Sequence, residues 1–556
     1  MSTAESSVRT KPVVYTLQTC PSCIVLKEDW GGGAVYNIVI TNSTAYTESV
    51  LINISGLTLT SNTTTKPVIN STSSSILNIT ANNVRIFNLT LNSTTGAGID
   101  LTGNNVILQN LNIITNGNGS KNWGIIINNS QNNTISNTII RTNGTSSNFG
   151  IYLINSSKNS IAKTNITAQG TLANNYGIYL HSNSSANVVK KTRIFAYSSV
   201  PVGGSNSYGI YILNSNSNNI TNNTLETNGN SFNNHGVFVE TSHQTTINNN
   251  TIKTNGTSDN YGIYFLTNSE NNTIKNNEIR TNGSSSANIG INFETGISNN
   301  KITTNKIYTK GTSYNYGIYF YGSSSFNTIQ DNIVLTDISG SDNHGIYLDT
   351  GNNYNNISGN ILFTVANFSK GAWLYGGNYS NISDNKITTH TPKSFALKIE
   401  KTGNDNPAGN KIYNNLFNST EIAVDIISTQ TNNLSTTLTT GQNILGGTLI
   451  GGNAYVNSTV NGLAAYSENC NDPQLEGICN KLRTHKSSNI DFHPLAANVG
   501  CGILNKSNAV YTLTRNIFAA ETCFNITGNN ITLDCQGHLI TYGESARGTG
   551  IQLLSA

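Results

Sequence analysis

Two histidine–carboxylate pairs recur at matching positions in this 556-residue chain, His235 with Glu240 and His344 with Asp349. An imidazole beside a carboxylate can move protons, and glycoside hydrolysis needs two carboxyl groups flanking the scissile bond. Asp331, Asp337 and Asp342 add acid near the second pair, and His181 stands alone. In the repeat register described next, the two pairs fall four coils apart, or ~19 Å at the ~4.8 Å spacing of stacked strands. No two acids and a base share adjacent coils. Each of these groups therefore reads as a solvated surface residue, and the chain is not expected to be an enzyme. A polysaccharide lyase, hydrolase or epimerase is kept as an alternative.

A row of rings offers different chemistry: Tyr152, Tyr179, Tyr211, Phe238, Tyr264, Tyr319, Tyr347 and Trp373, interrupted by Asn292. Each lies two residues after a glycine in a returning phrase close to Asn-Tyr-Gly-Ile-Tyr-Leu. The glycines are Gly98, Gly124, Gly150, Gly177, Gly209, Gly236, Gly262, Gly290, Gly317, Gly345 and Gly371, and subtracting neighbours gives steps of 26, 26, 27, 32, 27, 26, 28, 27, 28 and 26. A period in the twenties marks a solenoid. Strand side chains alternate, so if Ile151 and Leu153 point inward, the ring between them points outward. Such a stripe could stack against sugars, or its rings could stack on one another and stiffen the sheet. A second set stands just before the glycine, Trp123, Phe149, Tyr176, Tyr208, His235, Tyr261, Tyr316 and His344, and is expected to fill a corner.

Each period holds three short apolar stretches separated by Asn and Gly. Around Asn271–Ser286 they centre on Ile274 and Ile279, followed by Gly290–Phe293. Asn and Gly suit tight corners because they tolerate left-handed backbone angles. The spacing predicts three strands per coil, with no helical periodicity. A polar row runs in step: Asn223, Asn250, Asn277, Asn305, Asn332, Asn360, Asn385 and Asn415.

Composition excludes several classes. Charged residues make up 10% of the chain and the net charge is +3, with no clustered basic face for nucleic acid. No apolar run reaches the 18 residues of a membrane span. Met1–Arg9 lacks the apolar run of a secretory signal, leaving a removed signal or another export route. Asn-X-Ser/Thr triplets are abundant, with Asn42, Asn53, Asn78 and Asn88 the first candidates for glycosylation.

Cys20-Pro-Ser-Cys23 follows a predicted strand, Val13–Leu17, and looks like a thioredoxin-type redox motif. That chemistry needs a following helix, whereas Gly31-Gly-Gly33 and strand-like sequence come next, so a local disulfide is the expectation.

The order Tyr46-X-Glu48-X-Val50-X-Ile52, then Leu57–Thr60, resembles the opening coils of right-handed parallel β-helices of the pectin-lyase-like and NosD-like families. The asparagine row resembles the internal ladder of the pectate-lyase-type β-helix, where amides bond from coil to coil at a buried corner. Gly451-Gly-Asn-Ala-Tyr455, Cys470 to Cys479 and Asn489-Ile-Asp491-Phe-His-Pro-Leu495 resemble the terminal module of archaeal NosD-like proteins. The resemblance implies a Cys470–Cys479 pair. It also brings a loop that could hold calcium, but only Asp472 and Glu476 remain of its acids, too few for that ion. Copper delivery, the role of NosD-like proteins, is not expected, since one methionine and no His/Cys cluster offer copper a site.

Cys501-Gly-Ile-Leu504, Cys523-Phe-Asn-Ile526, Asn530–Gly537 and Gly550–Leu553 resemble the start of a second β-helix. Cys501, Cys523 and Cys535 join the disulfide candidates, seven cysteines leaving one over. The array is expected to continue beyond Ala556. The reading is therefore all-β: an N-terminal segment (1–34), a right-handed parallel β-helix of about 13 or more coils (35–445), its terminal module (446–498) and the start of a second β-helix (499–556). The expected role is an extracellular, glycosylated structural or adhesive surface protein of archaeal type. It would use no cofactor, and its partners would be cell-surface glycans or copies of itself.

Overall fold

The protein is described from a computed structural model. Its backbone is described from Val13 to Leu554 apart from 18–19, 31–32, 73–74, 118, 120, 200–205, 231, 338–339, 392, 404, 421, 457–465, 470–476, 486–488, 497–501, 505–506, 514–516, 519–521 and 543–547. Side chains are described from Tyr36 onward, except at 422, 468–469, 502–503, 512 and 517–518. The chain forms two compact units, Met1–Gly283 and Ser284–Ala556.

The first unit is a parallel β-solenoid. One coil shows the plan: its first, second and third strands, Ser160–Ala162, Asn165–Gly170 and Asn175–His181, each pair in parallel with the corresponding strand one coil on and so build a first, a second and a third sheet. Alternation sends Ile161, Ile166, Ala168, Ile178 and Leu180 into a core where none is more than 2% exposed. Such a core accounts for the fold: one coil cannot cover its own apolar side, but stacked coils bury it continuously. At the start, Cys20–Trp30 is a strand paired antiparallel with Val13–Leu17 and Gly33–Ile40, so the helix a redox motif would open is not there. The side chains of Cys20 and Cys23 lie outside the described residues.

The second unit repeats the plan, for example through Thr328–Gln330, Ile333–Thr336 and Ile346–Leu348. Its last solenoid strand, Ala454–Val456, pairs with Leu416–Ser419 and brings Tyr455 against Phe417. The one-turn helix Tyr466–Asn469 and the hairpin Arg483–His485/Asn489–Asp491 follow. A separate set of parallel pairings then begins: Gly502–Leu504, Phe524–Ile526 and Ile551–Leu553 form one short sheet over a core of Leu504, Tyr511, Leu513, Cys523 and Phe524. Cys479 and Cys523 are each in a disulfide whose partner lies outside the described residues, as do Cys470 and Cys501. Cys535 is a free thiol, which removes it from the disulfide candidates.

The glycine of the repeated phrase works by size rather than by turn geometry. A Cβ on Gly150 would collide with Ile166 Cγ2 and lie 2.5 Å from the carbonyl oxygen of Gly177 on the next coil. The left-handed angles fall elsewhere, on the residue preceding each ladder asparagine, such as Asn222 (φ 56°), Asn249 (φ 55°) and Asp331 (φ 54°).

Candidate functional site

The asparagine row is a buried hydrogen-bonded ladder. In the first unit Asn223 Nδ2 donates to Asn250 Oδ1 at 3.0 Å, and Asn250 Nδ2 to Asn277 Oδ1 at 3.0 Å. In the second unit Asn305, Asn332, Asn360, Asn385 and Asn415 continue the pattern at 2.9–3.0 Å. Within each unit the amides also donate to carbonyls of the preceding coil, as Asn250 does to Ile220 O at 2.9 Å and Asn332 to Ile302 O at 2.8 Å. The row then runs on where the regular period has ended: Asn415 Nδ2 donates to Asn453 Oδ1 at 2.9 Å, and the Asn453 N–H to Asp491 Oδ2 at 2.8 Å. A further ladder, at the corner just before the first strand of each coil, links Asn133–Asn159–Asn187 in the first unit and Asn300–Asn327 in the second, and another, just before the third strand, links Asn122–Asn148–Asn175; the sequence reading did not single out either.

The ring row behaves differently from a free aromatic face. In the first unit Tyr152, Tyr179, Tyr211, Phe238 and Tyr264 stack with centroids 4.7–5.0 Å apart and planes within 7°. The set before the glycine forms a second stack, and the two meet edge to face, as Phe149 does with Tyr152 at 5.3 Å and 71°. Along the stack each inner ring has its faces covered by its neighbours, and Phe238 and Tyr347 are buried, at 7% and 8%. A sugar meeting this row finds ring edges and hydroxyls, not faces.

The histidines belong to the same architecture. His235 Nδ1 accepts the N–H of Tyr261 at 3.3 Å, and His344 Nδ1 that of Lys370 at 3.1 Å. Burial pushes His235 down to about 3; burial first, then Lys370 and Lys398, hold His344 well below the ordinary value. With its basic nitrogen committed to a backbone N–H, neither is placed to act as a general base. Glu240 accepts the hydroxyl proton of Tyr211, and His181 Nδ1 lies 3.3 Å from Tyr152 Oη.

The richest polar surface lies on the third sheet of the second unit. Tyr319, Tyr347, Trp373 and Lys398 follow one another in register, with Asp349 two residues beyond Tyr347, Tyr375 two beyond Trp373 and Glu400 two beyond Lys398. Tyr347 stacks on Trp373 at 4.4 Å. Lys370 and Lys398 approach the Trp373 ring to 4.5 and 5.6 Å. Lys398 pairs with Glu400 at 2.8 Å, Lys370 with Asp342 at 3.4 Å, and Tyr319 donates to Asp349 at 3.3 Å. Burial lowers the Lys370 ammonium against the opposing pull of Asp342. Burial first, then Asp349, raises the Tyr319 and Tyr347 phenols. The sequence pointed to Tyr319, Tyr347, Asp349, Asp342 and Trp373 but not to Lys370, Tyr375, Lys398 or Glu400. Those four sit on the coils of Gly371 and Ala396, where the ring position passes from Trp373 to a lysine.

Among the described residues the most exposed aromatic rings, Tyr314, Phe326, Tyr354, Tyr379, Phe492 and Tyr542, lie elsewhere in the second unit at 50% to 58%, while Tyr321, at 48%, is beside Tyr319; Tyr264, Tyr319 and Tyr347 are partly or fully covered. Of the glycosylation candidates, Asn53 and Asn78 are exposed. Asn42 and Asn88 are half-buried, and Asn88 Nδ2 already donates to Ser61 O at 3.3 Å.

Comparison with known proteins agrees with the solenoid. A family described as periplasmic copper-binding protein (NosD) matches residues 198–337 and 315–462, and one described as right-handed beta helix region matches 74–232. Among the described residues no group of three or more His, Cys, Asp or Glu side chains could hold a metal ion. No curated protein matches the chain.

Similar solved structures include the Dettilon tailspike protein (14% identity, TM-score 0.34), matched over 57% of this chain and 60% of that one, so less than two thirds of its length is spanned. A periplasmic alginate epimerase, AlgG, is similar at 13% identity and TM-score 0.38, over 71% of this chain and 85% of that one. The Azotobacter vinelandii mannuronan C-5 epimerase AlgE6 A-module is similar at 14% and 0.36, over 64% and 88%. The expectation of a non-enzyme is corrected by these likenesses, because chains of similar structure act on polysaccharides. At such identities and TM-scores they assign this chain no activity. No helix among the described residues is long and apolar enough to cross a membrane.

Proposed function

From the premise that the chain is a pectin-lyase-like, right-handed β-helix repeat protein, we propose that it is an extracellular surface protein that adheres to glycans through the third-sheet face of its second unit. The observation that carries this is the convergence of Tyr319, Tyr347, Asp349, Tyr375, Lys398 and Glu400 around Trp373 on neighbouring coils. Hydroxyls, carboxylates and an ammonium spaced by the coil repeat offer a polymer several hydrogen bonds at once. The covered ring faces support recognition by edges and polar groups, and a stiffening role for the rings in the rest of the row. Disulfides at Cys479 and Cys523 support an oxidising setting.

The test is retention of the purified chain on immobilised polysaccharides, neutral and charged, with release of sugar products followed in the same samples. Adhesion predicts retention that Lys398→Ala combined with Glu400→Gln weakens at least tenfold. Equal retention of that variant would remove this face from the account. Product release would assign the face a reaction instead. Assembly into filaments without any retention would favour a coat role, in which copies of the chain are the partners.

A further inference from the structure

We propose that the corner bearing Phe326, Tyr354 and Tyr379 is a second glycan-binding strip, one that takes uncharged sugars. It rests on the glycan-adhesive reading above. The three rings stack at 5.0 and 5.2 Å with planes 2° and 12° apart, yet they are 58%, 50% and 56% exposed. All three residues are in the left-handed backbone region, at φ 59°, 55° and 53°. Bulky side chains are genuine outliers there, because Cβ crowds the following carbonyl.

The turn itself does not ask for a ring. At the same position, immediately before the residue that leads into the first-sheet strand, the first unit places Lys158, Ala186, Ser217, Gln244 and Asn271 at φ 55–58°. The backbone bond made by this residue is also the same in both units: Lys158 N–H donates to Ser185 O at 3.0 Å, and Tyr354 N–H to Asn378 O at 2.9 Å. Three strained, solvent-facing rings in succession, where smaller residues make the identical turn, point to selection for what the rings touch.

The surroundings name the chemistry. Ser325, Asn353 and Asn378 line one side of the strip, linked coil to coil by Asn353 N–H to Ser325 Oγ (3.1 Å) and Asn378 N–H to Asn353 Oδ1 (2.8 Å). Thr328, Asn356 and Asn381 line the other, with Asn381 Nδ2 donating to Asn356 Oδ1 at 2.9 Å. The nearest charges in that row are Lys301 and Lys411, one coil beyond either end. The rings cover one another's faces here as well, so their exposed edges, with the neutral amides and hydroxyls beside them, meet the C–H and O–H groups of an uncharged sugar along the three coils between those lysines. Gly409 continues the row: its Cβ would come within 2.6 Å of Tyr379 Cδ1, so the absent side chain leaves that ring its seat.

The experiment compares the full chain with a variant carrying Phe326→Asn, Tyr354→Asn and Tyr379→Asn. Asparagine suits the left-handed turn, so the variant should melt within a few degrees of the parent. Retention on neutral glucan, mannan and galactan should fall at least tenfold, while retention on a charged polysaccharide by the Lys398–Glu400 face persists. Unchanged retention on the neutral polymers overturns the strip and leaves the adhesive reading standing. A large fall in melting temperature overturns it too, by making the rings structural. Loss of a dimer in sedimentation, with retention intact, would make a second copy the occupant. If the parent binds no glycan at all, the adhesive reading fails first and the strip with it.

Discussion

Replacing Asp491 by asparagine should stabilise the end of the second unit at alkaline pH and not at acidic pH. Asp491 is fully buried and closes the asparagine ladder, accepting the Asn453 N–H (2.8 Å) and the Tyr455 hydroxyl (2.9 Å) on Oδ2 and the His493 N–H (3.1 Å) on Oδ1. Arg483 lies opposite it in the hairpin but rests on the Tyr455 ring at 3.8 Å, with Nε and Nη1 unpaired. Burial, outweighing the donors, pushes the Asp491 carboxyl up to about 7 from the usual 3.8. Because the folded value is raised, the native state holds the proton more tightly. Its contribution is complete below about 4 and is lost as pH rises towards 7.

The span of roughly 3 pH units, at ~1.4 kcal/mol each, makes the cost of ionisation about 4 kcal/mol as an upper bound. His485, pushed down to about 3 by burial and by Arg483, works in the opposite sense between about 3 and 6.5. The parent alone would therefore show a muted pH profile, and the difference between variant and parent isolates Asp491. Hydrogen exchange of the peptides covering Asn453–Val456 and Asn489–Asp491 reads that difference. At pH 8 the variant should be protected by up to ~10³-fold more than the parent, and by about pH 4 the advantage should vanish. A difference that does not change with pH, or a variant less protected at pH 8, would mean that ionisation of Asp491 does not weaken this end of the unit.

Three other outcomes follow from the same physics. Asn332→Ala strips the acceptor from the Asn305 amide and the donor from Ile302 O inside a dry corner. Two or three orphaned groups at ~1–3 kcal/mol each predict a loss of roughly 3–5 kcal/mol in denaturant titration; a loss under ~1 kcal/mol would mean water replaces the amide. Gly317→Ala places a Cβ against Val334 Cγ1 and 2.6 Å from Gly345 O, so thermal melting should fall by an amount equivalent to ~1–3 kcal/mol or more. Tyr179→Phe keeps the stack with Tyr152 and Tyr211 and should leave melting nearly unchanged, whereas Tyr179→Ala opens it and should cost ~3–5 kcal/mol. Equal effects would deny the rings their stiffening role.

Much of this was legible because a solenoid writes its geometry as a period. The glycine phrase located the third sheet, and the asparagine row located the ladder that joins coils. What escaped notice had physical reasons. Asp491 follows Asn453 by 38 residues, as Asn453 follows Asn415 by 38 (491 − 453 and 453 − 415), so a search at about 27 stops short. Lys398 occupies the ring position of a coil whose glycine is Ala396, and a lysine does not advertise itself as a member of an aromatic row. Phe326, Tyr354 and Tyr379 break the rule that left-handed corners take small or amide side chains. Their spacing of 28 and 25 residues was nonetheless there to be read. That Tyr152 and Tyr179 stack on one another was one of the two arrangements the row allowed, and the coil-to-coil distance, which alternation along one strand does not give, decides for it.

The function proposed for the second unit stands or falls on glycan binding by its third-sheet face. The most direct measurement is electrophoretic mobility of the full chain in gels cast with native polysaccharides, run beside the Lys398→Ala/Glu400→Gln variant. The account predicts that at least one polymer retards the parent and that the variant runs at its free mobility in the same gel. Parent and variant migrating together in every gel would contradict it.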